Sequence, residues 1–241
     1  NAVSPLLGGV STNNTKGVIS TKKITPKMIL KGDSTMIPES TKYNNNTERF
    51  MVREVNLRDN RMTDRGICRV LHDICKCAEV TDNMSLLDLS ENHMRKSSAD
   101  VLGQVLIKCC NLEKLVLEKA EISNIVMKAM QVGLTEGANT CLLHLNLSRN
   151  EILDAGCIII ADILANEDCQ LRELDLSWNK IQDKGAVAIF TALMTNKQIL
   201  KLDVSWNAIG TKTEKTFSVS TALSDMLLNN SSLIHLDLSQ N

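Results

Sequence analysis

The chain has 241 residues but few aromatic side chains: three Phe, two Trp and one Tyr, or 2% of the sequence. Apolar residues nevertheless account for 43% of it. A core of this composition must be built from Leu, Ile, Val and Ala rather than from large rings. Such a core is what a stack of small repeating units requires.

Features that mark several other classes of protein are also missing. No apolar run is long enough to span a bilayer, and the opening NAVSPLLGGV is too short and too interrupted by Gly and Pro for a signal peptide. The formal net charge is −1, and Lys and Arg are nowhere dense enough to predict a nucleic-acid site. We therefore expect neither a membrane nor a nucleic acid as partner.

What the sequence does contain is a nine-residue phrase that recurs along it, most clearly as LRELDLSWN, ILKLDVSWN and LIHLDLSQN. The seven copies end at Asn60, Asn92, Ala120, Asn150, Asn179, Asn207 and Asn241. Successive closing positions lie 32, 28, 30, 29, 28 and 34 residues apart. Self-similarity at this period predicts a solenoid.

Each copy of the phrase predicts a short strand that ends in a turn. Apolar residues two apart, such as Leu174 and Leu176, alternate with polar neighbours, which is the pattern of a half-buried strand. The closing Asn can bond backbone groups of the adjacent turn. Because Ala120 lacks that side chain, we expect the turn there to be loosened or reshaped.

The remainder of each repeat predicts a helix. After Asn179, Asp183 is the predicted N-cap, and Asp154 and Asp64 hold the same place in their own repeats. The residues predicted to face the core of this helix are Ala186, Ile189, Phe190 and Leu193.

The pattern L-x-x-L-x-L-x-x-N-x-I, with a helix in each repeat of 28 to 29 residues, resembles the leucine-rich repeat family in its ribonuclease-inhibitor type. The resemblance covers about residues 50 to 241. It implies an α/β horseshoe with a parallel sheet on the concave side and helices on the convex side. Members of that group include ribonuclease inhibitor, the sensor regions of NOD-like receptors, the Ran GTPase-activating protein, tropomodulin and ciliary leucine-rich proteins.

The chain divides into two parts. Residues 1–48 lack periodicity and hold six Lys against three acidic residues, a net charge of +3, which leaves −4 for residues 49–241. We predict a flexible or extended leader, with a second reading in which its apolar clusters at 28–30 and 36–37 partly cap the first repeat. Residues 49–241 form about seven repeats. Because the sequence stops at Asn241 with a predicted strand and no helix after it, we expect it to be a portion of a longer polypeptide.

Sites for chemistry are scarce. There is no Gly-rich phosphate loop, and no Cys–His or Ser–His–Asp set falls on neighbouring repeats. The eight Cys include no pair of C-x2-C motifs, so we predict no metal, no cofactor and no enzymatic activity. We expect reduced thiols, with Cys157 packed as a small apolar group in a helix.

Polar residues in and after the strands are predicted to form columns along the concave side. The candidate partner-binding residues are Trp178, Trp206, Asp175, Asp203, Asp237, Glu173, Lys201, Arg149, His144, His235 and Phe217. Phe217 lies in a segment, residues 211–220, that lengthens the last repeat. The alternative readings are a solvated strand face for the Asp residues, packing against the adjacent turn for the two Trp, and burial in the core for Phe217.

We therefore predict a non-enzymatic scaffold that binds a protein partner with a basic surface along the strands. The resemblance to ciliary members implies a cytoplasmic protein, placed in a large assembly such as a cilium or the cytoskeleton. Two alternatives stay open. One is a GTPase-activating regulator of a small GTPase, and the other is the ligand-sensing region of a larger signalling protein.

Overall fold

The computed structural model describes residues 52–135, 141–210 and 219–241. Strands and helices alternate along these ranges. The strands are β1 (Glu54–Asn56), β2 (Leu86–Asp88), β3 (Lys114–Val116), β4 (His144–Asn146), β5 (Glu173–Asp175), β6 (Lys201–Asp203) and β7 (His235–Asp237). The helices are α1 (Asp64–Lys76), α2 (Ala78–Thr81), α3 (Lys96–Lys108), α4 (Asn124–Thr135), α5 (Asp154–Ala165), α6 (Asp183–Leu193) and α7 (Val219–Asn229).

The described strands form one parallel sheet in chain order, from β1 to β7. The register places Leu145 beside Leu174, and Leu174 beside Leu202. Consecutive repeats are therefore neighbours in space, and the predicted α/β leucine-rich repeat solenoid is confirmed. Strands stack at about 4.8 Å whereas packed helices need about 10 Å, so the strand side is the concave side.

The core lies between the sheet and the helices and is aliphatic, as predicted. Leu174 and Leu176 are 2% and 0% exposed, and the four inward residues predicted for α6 are all buried. Phe190 is the only Phe, Tyr or Trp in the buried core of the described residues. Cys157 packs in the core from α5, as predicted. Burying one such aliphatic side chain contributes about 1.5–3 kcal/mol, so the stacked repeats supply the stability of the array.

From the second repeat onward, each closing Asn ties its repeat to the preceding one. Asn150 accepts hydrogen bonds from the buried amides of Ala120 and Ile122, at 2.9 Å each. Its Nδ2 donates to the carbonyls of Leu117, Leu147 and Ser148. Where Ala120 replaces Asn, the amide of Met94 donates to the Ala120 carbonyl at 3.1 Å instead. The turn at Ala120 is thus reshaped, as expected, and keeps its neighbour's amide bonded.

The prediction that Asp183, Asp154 and Asp64 cap their own helices is wrong. Gln182, Leu153 and Thr63 occupy the N-cap positions, and each Asp is the first residue of its helix. The Asp carboxylates instead bond the start of the following repeat. Asp64 accepts from the Arg95 amide at 2.8 Å, Asp154 from Gln182 at 2.7 Å and Asp183 from Gly210 at 2.6 Å. Because each carboxylate bonds a backbone amide at the start of the following repeat, it helps to set the distance between the two repeats.

Two predictions fall outside the described residues. One is the leader at residues 1–48, with its clusters at 28–30 and 36–37. The other is Phe217, in the segment that lengthens the last repeat.

Candidate protein-binding face

Trp178 and Trp206 form a stacked pair on the concave side. Their ring centroids lie 4.1 Å apart with an angle of 9° between the planes. The two side chains remain 42% and 44% exposed, so they are not buried against the adjacent turn. Few side chains expose as much rigid apolar surface with only two rotatable bonds to immobilise.

The backbone holds this pair in place. The Trp178 amide donates to the Ser205 carbonyl at 3.0 Å, and the Trp206 amide donates to Ser239 at 2.9 Å. Both Trp have a positive φ, of 54° and 53°. The residue before the closing position has a positive φ in every described repeat, so this conformation belongs to the turn and not to Trp. The turn therefore sets the rings in register, one repeat above the other.

Arg149 extends the stack by one repeat. Its guanidinium carbon lies 4.9 Å from the centroid of the Trp178 ring, within cation–π range. Its Nε also lies 3.4 Å from a Glu118 carboxylate oxygen. Arg149 thus links the two Trp rings to the ion pairs of the earlier repeats.

Ion pairs neutralise Glu91 and Glu118 in those earlier repeats. Arg58 reaches Glu91 at 2.7 Å and Glu118 at 2.8 Å, the latter two repeats away. Hydrogen bonds and attraction from Arg58 and Lys119 hold the pKa of Glu91 below its ordinary value, against the opposing effect of desolvation. These carboxylates already have cationic partners within the chain.

Asp175, Asp203 and Asp237 lie side by side on neighbouring strands, and we call these three residues the Asp column. Their carboxylates bond the turn that follows each strand. Asp175 accepts from the Ser177 amide at 2.9 Å and from its hydroxyl at 2.7 Å, and Asp203 does the same with Ser205. Asp237 accepts from the Ser239 amide at 2.8 Å. These bonds use one oxygen of each carboxylate, so the recurring Asp-x-Ser wording has a structural cause.

Charge accumulates in this column. Burial raises the pKa of Asp175, hydrogen bonds from Ser177 oppose that rise, and the nearby carboxylates of Asp203 and Glu118 add to it. Hydrogen bonds from Ser239 hold the pKa of Asp237 below its ordinary value. Among the described residues, no ion pair reaches Asp175, Asp203 or Asp237.

The other edge of the strands carries mixed charge. Glu173 lies between His144, at 3.0 Å, and Lys201, at 2.7 Å, and the hydrogen bond from Lys201 is the main reason that the pKa of Glu173 is lowered. Together with the Asp column, this edge surrounds a shallow hollow of about 300 Å³. His235 lines its far end, three strands from His144. Two His at that separation cannot act on one group.

Known proteins share this sequence pattern. The family model of the leucine rich repeat matches residues 50–67, 138–161 and 168–190. Ribonuclease inhibitor of Mus musculus is 30% identical over 147 residues, which cover 59% of this chain and 30% of that protein. Ribonuclease inhibitor of Sus scrofa is 26% identical over 139 residues, 57% of this chain and 30% of that protein. The chain is a leucine-rich repeat protein by its fold, and its sequence is similar to those of the ribonuclease inhibitors.

Other leucine-rich repeat proteins match as well. NACHT, LRR and PYD domains-containing protein 14 of Homo sapiens is 28% identical over 183 residues, which cover 66% of this chain and 17% of that protein. The structure of an internalin (inlF) from Listeria monocytogenes matches with a TM-score of 0.42 and 17% identity, over 79% of this chain and 48% of that one. The chain spans less than a third of the length of these curated relatives.

The sequence predicted part of this face and missed part. Arg149, Trp178 and Trp206 come together in one stack, and His144, Glu173 and Lys201 in one ion-paired set. The sequence reasoning did not select Arg58 and Glu118, although they join the stack to the first repeat, nor Lys114, which lines the hollow. The positions of all three along the strands could be predicted from the repeats. The pairing of Arg58 with Glu118 skips a repeat, however, and nothing in the sequence near either residue indicates it.

The eight Cys all lie in the described part of the chain, and none of them forms a disulfide. Burial raises the pKa of Cys109 to about 12 and raises that of Cys157 as well. Within residues 52–135, 141–210 and 219–241, no cluster of three His, Cys, Asp or Glu is arranged to hold a metal ion. None of the helices in those ranges combines the length and apolar character needed to cross a membrane.

Proposed function

We propose that this protein is a binding scaffold that holds a protein partner on its concave face. The stacked pair of Trp178 and Trp206 carries the proposal. Interface hot spots are enriched in Trp and lie where water can be excluded around a rigid anchor. Two half-exposed rings that are already stacked lose little conformational freedom when a partner covers them.

The charges beside the anchor favour a partner with a basic surface. Asp175, Asp203 and Asp237 form no ion pair among the described residues, and repulsion between neighbouring carboxylates is relieved when a cation arrives. Arg149, on the other side of the Trp pair, restricts how such a partner is oriented. Glu173, Lys201, His144 and His235 would contact it at the opposite edge of the strands.

The cellular setting is part of the same proposal. We place the protein in the cytoplasm, as a non-enzymatic component of a large assembly such as a cilium or the cytoskeleton. A continuous sheet of stacked repeats gives a stiff surface that suits a static position in such an assembly. Phe217 and the leader at residues 1–48 would add contacts or a cap at the ends of the repeat array.

The experiment is a pulldown from ciliated cells, in which captured proteins are quantified for the wild type and for the Trp178→Ala, Trp206→Ala double variant. Losing two hot-spot residues at about 2 kcal/mol each would weaken capture by roughly a thousandfold. The matched control is Leu227→Ala with Leu228→Ala, which removes two exposed apolar side chains from α7. Equal capture by wild type and the Trp double variant, with matching far-UV melting curves, would contradict the proposal.

A second candidate is the ligand-sensing repeat region of a larger signalling protein. It is favoured by the 28% identity to NACHT, LRR and PYD domains-containing protein 14, of which this chain covers 17%. Sequencing the complete transcript distinguishes the two. A nucleotide-binding domain on the same polypeptide would support this candidate, and its absence would reject it.

A further inference from the structure

The stack formed by Arg149, Trp178 and Trp206 is closed at one end and open at the other. The two indoles each cover one face of the other, with 4.1 Å between the ring centroids. Arg149 belongs to the preceding repeat and lies over the opposite face of Trp178, with its guanidinium carbon at 4.9 Å. The outer face of Trp206 is directed toward the seventh repeat, and no aromatic ring or cation lies over it among the described residues.

Arg149 shows which group suits the closed end of this stack. Its guanidinium stacks near the Trp178 indole and also meets a carboxylate, because its Nε lies 3.4 Å from an oxygen of Glu118. A guanidinium fits such a place well, since it is planar, weakly hydrated and able to stack on a ring while its N–H groups bond an anion.

The open end offers the same two kinds of group. The Trp206 amide donates to the Ser239 carbonyl at 2.9 Å, and the Ser239 amide donates to Asp237 Oδ1 at 2.8 Å. The Asp237 carboxylate is thus two hydrogen bonds and one residue away from the Trp206 backbone, and Asp203 lies beside it on β6. Neither carboxylate forms an ion pair in the part of the chain that the structure describes. Gln240, which holds in the seventh repeat the position of Trp206 in the sixth, is exposed and uncharged.

We propose that the outer face of Trp206 binds an arginine side chain of the protein partner, and that Asp203 and Asp237 supply the opposite charge. This rests on the proposed function, because the arginine belongs to the partner held on the concave face. Arginine is favoured over lysine, whose ammonium group is compact, strongly hydrated and unable to stack. The bound partner extends the stack so that a guanidinium lies at each of its ends.

The test uses the full chain labelled with heavy nitrogen and two small probes, N-acetyl-argininamide and N-acetyl-lysinamide. The chain contains two Trp, so its spectrum holds two indole N–H signals, which the Trp178→Ala variant assigns. Argininamide should shift the Trp206 signal along a saturable curve, and lysinamide at equal ionic strength should bind about threefold more weakly because it does not stack. The Trp178 signal should move less, since both faces of that ring are covered.

The contribution of charge is tested by Asp203→Asn combined with Asp237→Asn. Asn146 holds the same position in β4 and accepts the Ser148 amide at 2.9 Å and its hydroxyl at 2.7 Å, so Asn preserves the turn and removes the charge. The double variant should bind argininamide about fivefold more weakly. The matched control is Asp100→Asn, which removes a charge from an exposed position of α3 and should bind like the wild type.

Arg149→Ala provides an internal positive control. It uncovers the other face of Trp178 and leaves Glu118 in place, so argininamide should then shift the Trp178 signal as well. A Trp206 signal that does not respond to argininamide in the wild type and in Arg149→Ala would overturn the proposal. Equally tight binding of lysinamide would overturn it too, and so would equal binding by the wild type and the Asp double variant.

Failure of this proposal is distinguishable from failure of the proposed function. An unresponsive Trp206 signal, together with lost partner capture by the Trp178→Ala, Trp206→Ala variant, would reject the arginine site and keep the binding face. A responsive Trp206 signal, together with undiminished capture by that variant, would reject the proposed function and with it the partner as the source of the arginine.

Discussion

Replacing Asn150 by Ala tests whether the closing Asn residues hold adjacent repeats together. The Asn150 side chain is 7% exposed and serves two repeats at once, through the five hydrogen bonds described above. Its loss leaves the amides of Ala120 and Ile122 without a hydrogen-bond acceptor, and both residues are fully buried. An unsatisfied buried donor costs about 1–3 kcal/mol, so the free energy of unfolding should fall by about 2–5 kcal/mol.

The chain offers a matched control at the equivalent position of the first repeat. Asn60 is exposed, and its side chain donates only to the carbonyls of Leu57 and Arg58. No buried amide depends on it among the described residues, so Asn60→Ala should cost no more than about 0.5 kcal/mol. Urea unfolding followed by far-UV circular dichroism measures both variants. Equal losses for the two would refute the reasoning, because burial and amide satisfaction would then have no influence.

The turn at Ala120 indicates the smallest loss of unfolding free energy to expect for Asn150→Ala. There the chain does without the Asn side chain, and the Ala120 carbonyl accepts the Met94 amide. Glu121, next in the chain, takes a φ of 58°. If the Asn150→Ala variant could rearrange in the same way, its cost would lie near 2 kcal/mol rather than 5 kcal/mol. Hydrogen exchange at the amides of Ala120 and Ile122 reports directly whether they find new acceptors.

Two further predictions concern packing and charge. Gly185→Ala should destabilise the protein by about 1–3 kcal/mol, because a Cβ there would lie 2.7 Å from a carboxylate oxygen of the preceding repeat; Gly66→Ala, with no neighbour closer than 3.7 Å, should leave the melting temperature equal or raised. Since the hydrogen bond from Lys201 lowers the pKa of Glu173 below 4.5, the stability that this carboxylate adds is present above about pH 4.5 and is lost as the pH falls below it. The Glu173 side chain is 41% exposed, so its contribution is below about 1 kcal/mol. The difference in unfolding free energy between wild type and Glu173→Gln, measured by urea unfolding at a series of pH values, should therefore shrink in acid.

The sequence was sufficient for features that repeat with the period. Alternation around Leu174 and the spacing of the closing residues predicted each strand and the parallel order of the sheet, because every copy of the phrase must bury the same two side chains. The adjacency of Trp178 and Trp206 followed from the same register. A confirmed period therefore fixes which residues share a column.

Contacts that cross between repeats could not be predicted in this way. Asp183 looked like the cap of its own helix, since its neighbours in sequence offered no other role. Its carboxylate reaches Gly210 in the next repeat because the helices stack closely enough for one side chain to span them. The ion pair of Arg58 with Glu118 likewise depends on the length of the Arg side chain, which a column of residue names does not reveal.

The most direct measurement of the central proposal uses the fluorescence of the protein itself. The chain contains two Trp, and both belong to the stacked pair, so its intrinsic Trp emission reports on this site alone. The partner recovered in the pulldown, as a fragment or variant without Trp so that it adds no emission of its own, is titrated into the wild-type protein. Quenching by acrylamide is recorded at each step. A concave-face complex anchored on the indoles predicts that quenching falls as the partner saturates the site. A partner that saturates while both rings stay as accessible to acrylamide as in the free protein would contradict the proposal.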